Sequence, residues 1–430
     1  MLARPPSWPR VGAGPGTRGR GRNRPTHRTR THPRETRTVL FSQPRQANGA
    51  PQDRQGRSRG GATLAGVNTD PTQTISAQAT NLYGLDRDGL EDQLARYGVP
   101  SFHAHQVYRW LYQRDAWSPS EWTDLPQSLR TRLLEDTRTD PGKLGARTDA
   151  ADETVKYRTE LAGGGTVETV FMRQADRVTL CLSSQVGCAL DCDFCLTGKM
   201  GFKRHLSAGE IVGQVALIRK DQALEGSFNI VFMGMGEPLH NYDATVAAVR
   251  LLCDPEGFGL SRRRVTVSTV GIAPAIEKLA EEPVRPRLAV SLNATTDDVR
   301  AKIMPITKKY GIKRLLAACA HFRERTGEPF TLEYVLLAGI NDTDQDVTRL
   351  REIAHRMRAK VNLIPFNPVP GWLPYQSPSR HRIETVRDRL LDAGVRVSIR
   401  WSRGAQARAA CGQLALLPDK PGERKTSNPR

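Results

Sequence analysis

The sequence predicts an α/β protein: a parallel sheet curled into a full or partial barrel, preceded by a small helical domain and a basic tail. Three observations lead there. From RVTLCLSS near residue 177 to VRVSIRW near residue 400, apolar runs alternate with amphipathic segments, as repeated strand–helix units require. Between Leu82 and Asp140, apolar residues recur at three- and four-residue steps. Residues 1–75 show almost no apolar periodicity, and carry fourteen arginines, no lysine and three acids (Glu35, Asp53, Asp70), which is eleven of the nineteen net positive charges.

The tail at 1–75 cannot bury enough surface to fold, so disorder is expected. It reads either as a non-specific RNA-binding arm or as a dispensable extension. The helical domain spans 80–140 through LEDQLARYGV, AHQVYRWLYQR and LPQSLRTRLLED. Its middle segment interleaves Arg109 and Arg114 with Tyr108, Trp110 and Tyr112, a mix that can stack on bases while neutralising phosphates, or simply form a small core. At 150–175, KYRTELAGGGTVETVFM reads as a β-hairpin linker turning at Gly163–Gly165. The barrel occupies 176–418, with strands in RVTLCLSS, NIVFMGMG, RVTVST, RLAVSL, FTLEYVLL, VNLIPF and VRVSIRW. Ser207 and Glu210 form a capping box opening its first long helix. A second short tail, 419–430, is expected to be disordered.

At 430 residues the chain can bury a large core. Its apolar stretches fall short of a membrane span and the N-terminus has no apolar leader, so a soluble, cytoplasmic protein is expected. Seven cysteines, odd in number and clustered at one place, fit a reducing compartment and metal or redox use. The net charge of +19, and the +8 left once the tail's share is removed, favours a polyanionic partner such as nucleic acid.

The chemistry centres on Cys188, Cys192 and Cys195. This C-x-x-x-C-x-x-C run follows the first barrel strand, where barrel chemistry gathers. It can ligate three irons of a [4Fe–4S] cluster and leave the fourth free to chelate S-adenosylmethionine. The other reading is a structural zinc site completed from elsewhere. Cys253 and Cys319 read as inert small hydrophobes. Cys181, seven residues before the run, and Cys411, in a small-residue loop beyond the last strand, stand out by context.

The run CLSSQVGCALDCDFCLTGKMGF, followed by MGMGEPL, NLIPFNP and RGAQARAACGQL, resembles the RlmN family of adenine-C2 methyltransferases, over about residues 80–418. These are radical S-adenosylmethionine enzymes acting on 23S rRNA and tRNA, and the resemblance implies a partial (β/α)6 TIM-type barrel. It also implies that Cys411 carries a methyl group taken from one S-adenosylmethionine. A 5′-deoxyadenosyl radical from a second molecule then activates that methyl for addition to the adenine. Cys181 resolves the adduct through a transient disulfide with Cys411, a step consistent with thiolate exchange. Glu168 matches the proton acceptor. Gly236, Glu237, Ser268, Ser291, Leu292, Asn293, Asn367 and Phe194 match contacts to the cofactor. Asn293 stands where the family pattern leads one to expect histidine, which removes a charge change near neutral pH. The resemblance further implies an electron donor such as flavodoxin or ferredoxin, a monomer and no membrane partner. Two other readings compete: adenine-C8 methylation of the chloramphenicol–florfenicol resistance type, from which the N-terminal helical domain and GKMGFKR point away, and a non-catalytic iron–sulfur or zinc RNA-binding protein.

Overall fold

The computed structural model describes residues 79–404 and 407–416. The two tails read as disordered, 1–75 and 419–430, lie outside the described residues, as do 405–406 and 417–418.

The helical lead forms as the periodicity predicts: α1 (Arg87–Ala95), α2 (Phe102–Tyr112) and α3 (Gln127–Asp136), clasped by a two-residue parallel bridge between β1 (Thr80–Asn81) and β2 (Thr137–Arg138). Asp86 caps α1 by accepting from Gly89 N at 3.0 Å. Tyr108 and Tyr112 are fully buried, and the Tyr112 hydroxyl is spent on Gly84 N (2.7 Å) and Leu85 O (2.8 Å). They are core residues and cannot stack on bases. Arg109 and Arg114 stay exposed, with Arg114 4.0 Å from the Trp110 ring centre.

Three antiparallel strands come next: β3 (Lys143–Asp149), β4 (Thr154–Glu160) and β5 (Thr166–Gln174). β4 and β5 are the anticipated hairpin, and they continue the barrel's sheet instead of standing apart. Then β6 (Arg177–Cys181) turns the sheet parallel. A short hairpin, β7 (Gln185–Gly187) and β8 (Phe202–His205), brackets α4 (Leu196–Lys199). Strand and helix then alternate: α5 (Ala208–Asp221), β9 (Asn229–Phe232), α6 (Tyr242–Cys253), β10 (Val265–Thr269), α7 (Ala273–Ala280), β11 (Arg287–Ser291), α8 (Asp297–Ile303), α9 (Ile312–Thr326), β12 (Thr331–Leu336), α10 (Asp344–Met357), β13 (Lys360–Pro365), α11 (Arg380–Asp392) and β14 (Val397–Ile399).

The ten-stranded sheet runs β14-β13-β12-β11-β10-β9-β6-β5-β4-β3. Its parallel part has seven strands, one more than the six-unit pattern, because β14 pairs with β13. Thr179, Val231, Thr266, Ala289, Glu333, Asn362 and Ser398, one from each parallel strand, line a single cavity, so this part of the sheet is curled. Among the described residues β14 has no second neighbour, so the barrel is open there.

Packing locks the helical lead onto the barrel. Arg219 of α5 grips Asp115 with two contacts of 2.6 Å and donates a third bond to Tyr112 O at 2.6 Å. At the start of α5 a Cβ on Gly209 would stand 2.3 Å from Tyr83 O, so only glycine permits this approach. The capping box is present: Glu210 N donates to Ser207 Oγ at 3.1 Å, and Ser207 N to Glu210 Oε2 at 2.9 Å.

Candidate active site

β7 and β8 hold residues 188–201 as the end loop of their hairpin, with Cys188 N donating to Gly201 O at 3.0 Å. Inside it, Cys195 N donates to Cys192 O at 3.0 Å. Asp193 anchors the loop: its N–H reaches Ile303 O at 2.9 Å, Lys199 Nζ lies 2.6 Å from Oδ1, and the Tyr375 hydroxyl donates to Oδ2. The three thiols sit close enough that Cys192 feels both Cys195 and Cys188. Burial pushes the Cys188 thiol up to about 12 and raises those of Cys192 and Cys195. A metal that binds thiolate offsets this penalty. Three neighbouring buried thiols suit a cluster in which each thiolate holds its own iron.

Against this loop lies a cavity of about 150 Å3, at the carboxyl ends of the parallel strands. Phe194 and Cys195 line it, with Gly236 and Glu237 after β9, Ser268 of β10, Ser291 of β11, Asn293, Asn367 and Cys411. Of the anticipated contact residues only Leu292 is missing. Its side chain is fully buried in the main core, and its carbonyl accepts from Arg300 Nε at 2.9 Å. Phe194 both lines the cavity and packs in the small apolar cluster beneath the loop.

Gly236 has φ +100°, and a Cβ there would stand 2.5 Å from the Gln185 side chain, so glycine is needed for the turn to lie against β7. Glu237 is 2% exposed; Oε1 accepts from Leu239 N at 3.0 Å and Oε2 from Val270 N at 2.8 Å. Burial nevertheless pushes its carboxyl up to about 7. Asn293 takes φ +53°, a left-handed conformation that asparagine tolerates well. Its Oδ1 accepts from Val335 N at 2.8 Å while Asn341 Nδ2 donates to its carbonyl at 2.7 Å, so it ties the ends of β11 and β12 together.

The loop at 407–416 closes the cavity. Leu196 N donates to Gly412 O (2.8 Å), the Thr197 hydroxyl to Leu414 O (2.6 Å), and Asn367 Nδ2 to Cys411 O (3.0 Å). Cys411 also lines the barrel lumen, a larger cavity of about 560 Å3, which Cys181 lines too. All seven cysteines are free thiols. Burial, and then Cys411, pushes the Cys181 thiol up to about 12, while Arg400 opposes the rise.

Glu168 lines neither cavity. It is fully buried on β5, with Lys156 Nζ 2.9 Å from Oε1 and Ala415 N donating to Oε2 at 2.8 Å. Burial raises its pKa and Lys156 works against that.

Sequence reasoning passed over Arg300, Asn341 and Arg400. Arg300 is fully buried and bonds the carbonyls of Val270 (2.6 Å), Ser291 (3.0 Å) and Leu292 plus the Thr307 hydroxyl (2.9 Å), and burial lowers its pKa to about 10. Arg400 feels Cys411, Glu333 and Cys181 together. Nothing in a helix reading DDVRAKI separates Arg300 from exposed cations; the only available signal was its place three residues before buried Ile303.

Comparison with known proteins agrees with this fold. Residues 182–350 match the family model for the radical SAM superfamily, and 80–138 that for the ribosomal RNA large subunit methyltransferase N-terminal domain. The chain is 45% identical over 342 residues to the dual-specificity RNA methyltransferase RlmN of Anaeromyxobacter dehalogenans, covering 78% of this chain and 91% of that protein. It is 45% identical over 357 residues to the protein of that name from Jannaschia sp., covering 79% and 91%. A crystal structure of a radical SAM methyltransferase from Sphaerobacter thermophilus matches with TM-score 0.74 and 41% identity, over 78% of this chain and 99% of that one.

Proposed function

Since the chain belongs to the RlmN family of radical S-adenosylmethionine RNA methyltransferases, we propose that it methylates carbon 2 of adenine in 23S rRNA and tRNA. Its cofactors are a [4Fe–4S] cluster and S-adenosylmethionine. The observation that carries the reading is that one thiol, Cys411, lies in the walls of both cavities. A methyl carrier has to face a donor on one side and an acceptor on the other, and Cys411 does.

Cys188, Cys192 and Cys195 hold the cluster. Gly236, Glu237, Ser268, Ser291, Asn293, Asn367 and Phe194 line the cavity that takes the sulfonium compound, with Glu237 suited to its ammonium group. Once bound, cluster and S-adenosylmethionine supply the methyl group and the radical chemistry. Cys411 Sγ carries the methyl into the lumen. Cys181 Sγ, in the wall of the same lumen, resolves the protein–RNA adduct: its thiolate bonds to Cys411 Sγ as the bond from that sulfur to the transferred carbon breaks, the carbon keeps the electron pair and takes a proton to become methyl, and outside reductant restores both thiols. Glu168 accepts the proton from carbon 2. Ala415 N–H holds Oε2 while Oε1 faces Lys156 Nζ without a hydrogen bond, and because Glu168 is buried outside both cavities, its contact with the adenine requires movement of the 407–416 loop.

Residues 80–140 act in this reading as an RNA-binding accessory domain, with exposed Arg109 and Arg114 as its cations. A flavodoxin or ferredoxin supplies electrons, and the protein works as a cytoplasmic monomer. No helix among the described residues is long and apolar enough to cross a membrane. The test is mass spectrometry on two products: the Cys411 peptide, which should carry a methyl thioether, and digested rRNA and tRNA, which should contain 2-methyladenosine. Finding only 8-methyladenosine would overturn the assignment.

A further inference from the structure

The lumen opens at the end of the barrel opposite the cysteine loop, and that mouth is basic. Arg177 is the first residue of β6, Arg287 of β11 and Lys360 of β13; all three are exposed and line the lumen. The strands are parallel, so their starts share one rim, and in sheet order these three are spread around it instead of forming one patch. Among the described residues none of the three has an ion-pair partner. The acid on the rim, Glu328, is already held by Arg262 at 2.8 Å. Deeper in lie Arg400 and then Cys181 and Cys411, and Trp401, 41% exposed, lines the same wall.

Uncompensated cations around a low-dielectric opening focus positive potential outward and attract polyanions. A volume of about 560 Å3 is in the range that holds a nucleotide. A base must leave its stack to reach a buried thiol, and its flanking phosphates then lie at the cavity mouth.

We infer that the amino-terminal mouth of the barrel is where RNA enters. Arg177, Arg287 and Lys360 neutralise phosphates flanking the target nucleotide, and the extruded adenine passes up the lumen to Cys411 and Cys181. This rests on the RNA-methylation reading above.

The probe is an RNA hairpin with an unpaired adenine in its loop, bound to the cluster-loaded protein across a series of KCl concentrations. The triple variant R177Q/R287Q/K360Q should lower the slope of log K against log salt by about 2, at roughly 0.7 per single-stranded phosphate contact, and weaken binding roughly tenfold or more at moderate salt. R351Q, an exposed cation on α10, should leave the slope at the wild-type value. Should the triple variant fail to fold, each single variant should take about 0.7 off the slope. Wild-type slope and affinity in the rim variants, with wild-type protein methylating RNA normally, would overturn the entry surface alone. Loss of slope in the rim variants, with wild-type protein never methylating RNA, would support the entry surface and overturn the functional reading.

Discussion

The two cavities that meet at Cys411 are built on opposite principles. The smaller one is walled by side chains whose polar atoms are already committed: Glu237 to two backbone N–H groups, Asn293 to Val335, Asn367 to Cys411 and Ser402. The lumen is rimmed by Arg177, Arg287 and Lys360, which have no ion-pair partner among the described residues. A small ligand of fixed shape rewards a site organised in advance, because little ordering remains to oppose binding. A charged polymer rewards free charge at an opening, because its affinity comes largely from neutralised phosphates. The contrast matches the two partners that the proposed function assigns to the two cavities.

Several experiments would break or sharpen this division. The largest effect falls on the shared thiol. Cys411→Ala should abolish RNA methylation and remove the methyl thioether peptide, whereas Cys181→Ala should keep that peptide and accumulate a covalent protein–RNA species on denaturing gels. Normal product release by the Cys181 variant would remove the lumen's claim to the resolving step.

Arg300→Met tests the committed side. It leaves the carbonyls of Val270, Ser291 and Leu292 without their buried donor and should cost about 3 kcal/mol or more in denaturant unfolding. A stability within 1 kcal/mol of wild type, about what one ordinary hydrogen bond is worth, would show that the pre-organised wall does not depend on it.

Glu237 provides a pH signature on the same side. Burial lifts its folded carboxyl to about 7 from the ordinary 4.5, so between those limits the folded state binds more protons than the unfolded one. Stability therefore falls as pH rises through that window, by up to about 3 kcal/mol at its upper edge. Thermal unfolding from pH 5 to pH 8 should show this decline in wild type and not in Glu237→Gln. S-adenosylmethionine, by bringing an ammonium to the carboxylate, should flatten it.

The smallest effect is a control. Ser207→Ala removes the cap of α5 and should cost about 1 kcal/mol, while RNA salt dependence and Cys411 methylation stay at wild-type values. A shift in either would mean the cavities are less separate than their walls suggest.

Much of this arrangement was legible in the sequence. Apolar runs separated by amphipathic segments announced β6 and β9–β14, although alternate residues of several face the lumen and are only partly buried, and the cysteine spacing pointed to its own loop. The β7–β8 hairpin did not, because QVG and FKRH are too short and too polar for a periodic signal, although they hold that loop in place. Tyr108 and Tyr112 illustrate a different limit: an amphipathic helix gives the spacing of its apolar face but not what covers it, here the 82–85 segment and Phe258. Asn293 looked like a lost titratable group. Its backbone shows a further reason for the residue, a left-handed turn that a short amide suits and stabilises. Arg300 and Arg400 were invisible because a lone arginine carries no spacing, and only the folded chain reveals what surrounds it.

One stitch described above has a consequence for biosynthesis. The Thr197 hydroxyl reaches Leu414 O across 217 positions of sequence, and Leu196 N reaches Gly412 O beside it. A nascent chain therefore makes every strand of its barrel before residues 412–414 emerge, and until they do the cysteine loop lacks the neighbours that cover it.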